Sequence, residues 1–250
     1  MKDPGIFYFS STGNSLYIAK RLQRRLGGCV RYIPTYDGDG SEFARIVLVT
    51  PVYSFGMPSP VLDLLQRLVS DAPIVVVQNY GGWMGGADRL IYEYATAASL
   101  HVVSVYAMKM PENYTLFMSP PAFYRNRILK RADARIDRIA QDIAAERYRI
   151  PARKRTNERR YLINKANWHL IGDRLSATDQ CVRCGKCVSI CPARNIELRD
   201  DGKIVFGDAC IACLGCFHRC PRHAIVYRNK DNKKRYVNPN VDEREIGADL

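Results

Sequence analysis

The sequence predicts an α/β protein: a doubly wound, five-stranded parallel sheet followed by a small, cysteine-rich α+β domain. Three observations predict it. Short apolar runs alternate with helical patterns five times over residues 1–147, which calls for parallel strands with helices on both faces. Loops rich in hydroxyls, glycine and aromatic residues follow the first, third and fourth strands. Eight of the nine cysteines then fall in two runs of the same spacing near the C-terminus.

Taken in order, Ile6-Phe7-Tyr8-Phe9 reads as the first strand, and it runs into Ser10-Ser11-Thr12-Gly13-Asn14-Ser15. A helix follows, with Ile18, Leu22 and Leu26 on one face and Lys20, Arg21, Arg24 and Arg25 on the other; Gly27-Gly28 ends it. Residues 29–34 form a second strand, and a loop rich in Asp and Gly reaches Ser41. Ile46–Val49 is apolar throughout, as a buried parallel strand should be. It leads into Thr50-Pro51-Val52-Tyr53-Ser54-Phe55-Gly56, and a helix covers 60–69. Ile74–Val77 is the fourth strand; Gln78-Asn79-Tyr80-Gly81-Gly82-Trp83 follows it, then a helix over 87–99 and a fifth strand over 101–106. A loop through Asn113 and Tyr114 precedes a helix over 121–147 with Ile128, Ala132, Ile136, Ile139 and Ile143 on one stripe. These elements make residues 1–147 one domain. Residues 148–176 are a basic helical connector that packs two domains, since they are not rich in Gly, Ser or Pro. The cysteine domain spans 177–227, and 228–250 is a charged, extended tail.

Two stretches carry chemistry. The first is the loop Ser10–Ser15 at a helix N-terminus, where backbone N–H groups and the helix dipole favour an anion. It has no Lys or Arg and does not end in Gly-Lys-Ser/Thr, so it is not a nucleoside-triphosphate loop. Tyr53, Tyr80 and Trp83 at the strand ends suit stacking on a flat ligand, and Gly81 and Gly82 let backbone approach it. The second is Cys181-x-x-Cys184-x-x-Cys187-x-x-x-Cys191-Pro192, repeated 29 positions on as Cys210-x-x-Cys213-x-x-Cys216-x-x-x-Cys220-Pro221. A disulfide framework gives no reason for an exact repeat, and zinc sites draw ligands as separated pairs, often with histidine. The spacing is that of iron–sulfur ligation, and free thiolates imply a reducing compartment.

Residues 10–15 match at each defined position the flavodoxin phosphate loop, Ser/Thr-x-Thr-Gly-Asn-Ser/Thr, and the cysteine runs resemble bacterial ferredoxins with two 4Fe–4S clusters. The chain as a whole resembles the flavodoxin–ferredoxin fusion proteins. The likeness implies a flavodoxin-like sheet of order 2-1-3-4-5 with a ferredoxin-like domain behind it. It implies that Ser10, Thr12, Gly13, Asn14 and Ser15 hold the phosphate of flavin mononucleotide (FMN). Pro51, Val52, Tyr53, Ser54, Phe55, Gly56, Asn79, Tyr80, Gly81, Gly82 and Trp83 would surround its ring. One cluster would take Cys181, Cys184, Cys187 and Cys220; the other would take Cys210, Cys213, Cys216 and Cys191. The implied function is electron transfer between FMN, the two clusters and an external redox protein. The competing reading is an FMN-dependent reductase of a small substrate such as a quinone or flavin; no nicotinamide-binding fingerprint accompanies it.

The formal net charge is +13, and residues 125–165 hold fourteen Lys or Arg against five Asp or Glu. This basic face fits an acidic redox partner. Nucleic acid is not expected, because no reading helix or stacking platform accompanies the charge. No apolar run approaches the ~20 residues of a membrane span, and no signal-peptide layout opens the chain, so a cytoplasmic protein is expected. Cys29 reads as a buried small thiol. His218 and His223, beside the second cysteine run, are candidates for tuning a cluster or for the plain surface.

Overall fold

The computed structural model describes residues 2–151, 155–230 and 234–250. Arg153 and Lys154 of the basic connector lie outside the described residues. The N-terminal half is a sheet of strands β1 (Pro4–Tyr8), β2 (Cys29–Tyr32), β3 (Arg45–Pro51), β4 (Ile74–Tyr80) and β5 (Val102–Lys109) in the order 2-1-3-4-5. Every neighbouring pair is parallel. The expected sheet and its order are therefore present. Ile46, Val47, Leu48 and Val49 of β3 and Ile74, Val75, Val76 and Val77 of β4 are wholly buried. Both faces of the sheet are covered, which is why these strands read as continuous apolar runs.

Helices α1 (Asn14–Leu26) and α4 (Ala122–Ala144) pack together on one face, and α2 (Ser59–Arg67) and α3 (Ala87–Ala97) pack together on the other. Ile136, Ile139 and Ile143 of the expected stripe are buried. Arg21 and Arg25 of α1 bridge to Asp137 of α4 at 3.2 Å, which aligns the two helices. A strand-to-parallel-strand connection through a helix brings each β-to-α loop to the same edge of the sheet. The carboxyl ends of β1, β3 and β4 thus meet at one place.

Helices α5 (Glu158–Ala166) and α6 (His169–Gly172) occupy the connector. Tyr161 of α5 is fully buried and donates its hydroxyl to the Met57 carbonyl at 2.8 Å, so the connector packs firmly on the β3–α2 loop.

The C-terminal domain repeats itself at every element. Strand β6 (Leu175–Ala177), helix α7 (Lys186–Ser189) and strand β7 (Ile196–Leu198) recur as β8 (Ile204–Phe206), α8 (Gly215–His218) and β9 (Ile225–Tyr227). The offset between the halves is the 29 residues of the cysteine duplication. Strand β6 pairs antiparallel with β9, and β7 with β8, so each small sheet takes one strand from each half.

The tail differs from the extended segment expected. It folds back over the first domain: Val30 of β2 and Leu250 exchange backbone hydrogen bonds at 2.8 and 2.9 Å. Asp249 accepts from the Tyr32 N–H at 2.7 Å. Tyr236 and Ile246, among the tail's sparse apolar residues, are buried, Tyr236 against Asn14 and His218. Cys29 is half-buried rather than enclosed.

Candidate functional site

A cavity of about 450 Å³ opens where β1, β3 and β4 end. Of the residues expected around a flavin, Ser10, Thr12, Asn14, Ser15, Pro51, Val52, Tyr53, Ser54, Phe55, Asn79, Tyr80, Gly81, Gly82 and Trp83 line it. Gly13 and Gly56 shape the loops without lining it.

At the phosphate-type loop, Gly13 is the N-cap of α1, with φ +92 and no capping side chain. The helix's orphan N–H groups therefore have no capping partner, and its first turn has no acid. Both features suit an anion. The loop is braced from within. Gly13 N–H donates to Ser10 Oγ at 2.9 Å, and Asn79 Nδ2 donates to Ser15 Oγ at 2.8 Å. Asn113 Nδ2 donates to Thr12 Oγ1 at 3.0 Å. The Asn14 side chain serves the protein: Nδ2 donates to the Pro111 carbonyl at 3.0 Å, while Oδ1 accepts from Tyr236 Oη at 2.7 Å and Asn238 Nδ2 at 3.0 Å. Its amide group is thus committed, leaving its backbone N–H as its donor toward a phosphate.

The ring-side loop after β3 is a tight turn. Tyr53 and Gly56 exchange backbone hydrogen bonds at 3.0 and 2.9 Å, with Ser54 at φ +49 and Phe55 at φ +75 between them. Two successive left-handed residues define a type I′ turn, which normally calls for Asn-Gly. Here two residues with side chains hold that conformation, at about 1–3 kcal/mol each. Tyr53 packs edge-on against Trp168 at 6.1 Å between ring centroids, and its hydroxyl lies 3.3 Å from Ser11 Oγ. Burial, with Cys213 nearby, raises the Tyr53 phenol well above its ordinary range, so it stays neutral. Trp83 is 86% exposed and stands at the rim.

The cavity has walls that the sequence did not announce. Glu112, Asn164, Asn167, Trp168 and Ile171 contribute, and so do Ala212, Cys213 and Leu214 of the second cysteine run. A Cβ at Gly215 would stand 3.6 Å from Ser11 Cβ and 3.8 Å from Cys213 Sγ, which shows how closely the two loops meet. The imidazole of His218 pins this junction. Its Nε2 lies 2.6 Å from the Asn113 carbonyl, and Nδ1 accepts the Tyr236 N–H at 3.1 Å. Those partners assign the neutral Nε2–H form, and burial lowers the ring's pKa to about 4. His218 is buried at this junction, so of its two expected placements the surface one is excluded.

The eight cysteines gather around two small cavities. Cys181, Cys184, Cys187 and Cys220 line one; Cys191, Cys210, Cys213 and Cys216 line the other. Each thus holds three thiols of one run and the fourth of the other. Backbone N–H groups point at the thiols in matching positions: Asn195 to Cys191 Sγ at 3.3 Å and, one repeat on, Ala224 to Cys220 Sγ at 3.2 Å. Such bonds stabilise a thiolate. Burial pushes the Cys213 thiol up to about 12 and raises Cys216 as well, so ligation there must displace protons. Among the described residues no three His, Cys, Asp or Glu side chains converge on a single ion. Thiols spread around a cavity suit a cage with iron at several corners better than one tetrahedral ion with bonds of about 2.3 Å.

Residues 180–225 match the family of 4Fe–4S dicluster domains. No curated protein matches the chain. Among solved structures, a Megasphaera elsdenii flavodoxin is 18% identical, with 42% of this chain and 84% of that one covered and a TM-score of 0.38. A Streptococcus pneumonia flavodoxin is 18% identical, covering 57% of this chain and 98% of that one at 0.40. The rubredoxin oxygen:oxidoreductase of Desulfovibrio gigas is 15% identical, covering 58% and 37% at 0.39. The strand order defines the N-terminal class as flavodoxin-like. The chain joins that sheet to a 4Fe–4S dicluster domain.

Proposed function

We propose that this protein transfers electrons, holding FMN in the pocket at the strand ends and two 4Fe–4S clusters in the C-terminal domain. An external redox protein is the other terminus. The observation that carries the reading is the shared wall: Cys213 belongs to one thiol cage and also lines the pocket. A flavin accepts one electron or two and each cluster one, so together they convert between the two modes.

The residues present fit both groups. The uncapped N-terminus of α1 and the hydroxyls of Ser10, Thr12 and Ser15 suit a phosphate; Tyr53, Tyr80 and Trp83 suit a ring. Pro51–Gly56, Asn79 and Gly81–Gly82 supply the remaining boundary. Cys210, Cys213, Cys216 and Cys191 would hold the cluster beside the pocket, and Cys181, Cys184, Cys187 and Cys220 the remote one. Domain limits of 1–147, 148–176, 177–227 and 228–250 follow from the same reading, with the connector serving to brace the pocket through Trp168. Cys184 is exposed, which makes the remote cage the natural face for a partner. The net charge of +13 favours an acidic one. The demand for free thiolates favours the cytoplasm. Among the described residues no helix is long and apolar enough to cross a membrane.

The test is rapid anaerobic mixing of the loaded protein with a reduced acidic ferredoxin, followed at flavin wavelengths. Cys191→Ser should slow flavin reduction at least tenfold while FMN stays bound. Unchanged flavin reduction in a variant that has lost the nearer cluster would overturn the route.

A further inference from the structure

A second concavity, of about 670 Å³, adjoins the pocket at the strand ends. The two share Phe55 and Trp83 as walls. Beyond those rings the second one is lined by Gly85, Gly86, Arg155, Thr156, Asn157 and Arg160. No acid lines it. The Arg160 guanidinium lies over the Phe55 ring at 5.1 Å, and neither Arg155 nor Arg160 forms an ion pair among the described residues. Of the acids near it, Glu158 accepts from Tyr94 Oη at 2.9 Å and Glu93 pairs with Arg89 at 2.6 Å, while Asp88 stands in the first turn of α3 outside the lining. The floor is held open by Asn157 Nδ2 donating to the Gly85 carbonyl at 2.7 Å. Helix α3 begins at the same floor, with Gly86 at φ +84 as an N-cap without a capping side chain.

The physical content of this groove is specific. It offers the Arg160 guanidinium over Phe55 and has Arg155 in its lining, neither in an ion pair among the described residues, and a guanidinium favours carboxylate, sulfonate or phosphate. It offers an indole exposed to 86% and a phenyl ring held in a strained turn. Strain kept at an aromatic that lines a groove points to use. We propose that the groove binds a planar, conjugated anion edge-on to the flavin pocket: an aromatic ring against Trp83 and Phe55, its charge at Arg155 and Arg160. Two sources share that chemistry, a quinone-type anion and a nucleotide. The groove's chemistry stands on its own residues; only the ligand's role as a partner for electrons rests on the flavin reading of the neighbouring pocket.

The experiment is calorimetric titration of the anaerobically loaded full chain at saturating FMN. The probes are anthraquinone-2-sulfonate, AMP, the neutral 2-(hydroxymethyl)anthraquinone and inorganic sulfate. One of the two aromatic anions should bind at least tenfold more tightly than either the neutral ring or sulfate, and which one does so identifies the source. The double variant Arg155→Gln/Arg160→Gln, whose residues do not line the flavin pocket, should weaken that probe at least tenfold and keep its FMN. Arg160→Lys, which keeps charge and loses the flat stacking plane, should fall between. Equal binding of the neutral ring, absence of binding by both anions, or unchanged affinity in the double variant would overturn the proposal. So would displacement of the probe by FMN, since the site would then be the flavin pocket itself. A wild-type chain that binds no FMN but still binds the probe in an arginine-dependent way would contradict the flavin reading and leave the groove intact.

Discussion

Leu214 stands where the first half of the duplication has Gly185, and both adopt left-handed backbone, at φ +58 and +69. Arg183 and Ala212 correspond in the same way at φ +57 and +55. The cage geometry therefore imposes the same unusual dihedral on both halves, and glycine meets it without strain at Gly185 alone. Leu214 accepts the strain and is 3% exposed, packed into the main core beside the pocket. Leu214→Gly should relieve about 1 kcal/mol of backbone strain and lose about 2–5 kcal/mol of packing. Denaturant titration should thus record a net loss of stability together with weaker flavin retention; a more stable variant would contradict this reading. The crossed cages make a second prediction. Cys220→Ser should remove the remote cluster although Cys220 lies in the second run, and Cys191→Ser should remove the nearer one. Iron analysis of each variant should fall from about eight to about four per chain. Which spectroscopic signature survives in each checks the crossing. The ligand residues were legible because thiol spacing is a local code. Their closeness to Ser11 was not, because nothing local links residue 11 to residue 215.

At the scale of elements, the sheet was readable because parallel strands buried on both faces carry continuous apolar runs, as Ile46–Val49 of β3 and Ile74–Val77 of β4 do. The tail was not, because Tyr236, Val241 and Ile246 stand five residues apart, which fits neither the helical nor the strand period, and are separated by charge. Their meaning is three-dimensional: a Cβ at Gly13 would stand 2.6 Å from Val241 Cγ2, so the tail closes over the phosphate-type loop. Asn238→Ala should leave the buried Asn14 carbonyl one donor short, costing about 1–3 kcal/mol. FMN should dissociate faster by fluorescence. The tail also gives a pH dependence. Tyr8 accepts the Gly247 N–H at 3.0 Å and donates to the Ala248 carbonyl at 2.9 Å, and burial raises its pKa to about 12. The folded protein then holds this proton more tightly than the unfolded chain does. The contribution is complete below pH 10 and is lost as pH rises toward 12, on the order of 2 kcal/mol. Melting curves of Tyr8→Phe should lack that alkaline decline.

At the scale of the molecule, connector, second cysteine run and tail all converge on one pocket whose first wall is the flavodoxin-like loop. Trp168, His218 and Tyr236 come from three different segments, and each touches or braces it. This explains why the pocket's first half was visible in sequence and its second half was not: the former lies on consecutive strand ends, the latter depends on how the domains meet. A basic face should make transfer from an acidic donor slow as salt rises. The central claim is the cofactor complement itself. Anaerobically purified protein should contain about eight iron and eight acid-labile sulfide per chain, with one FMN released on denaturation. Zinc in place of iron, or a full iron complement with no flavin, would contradict the account.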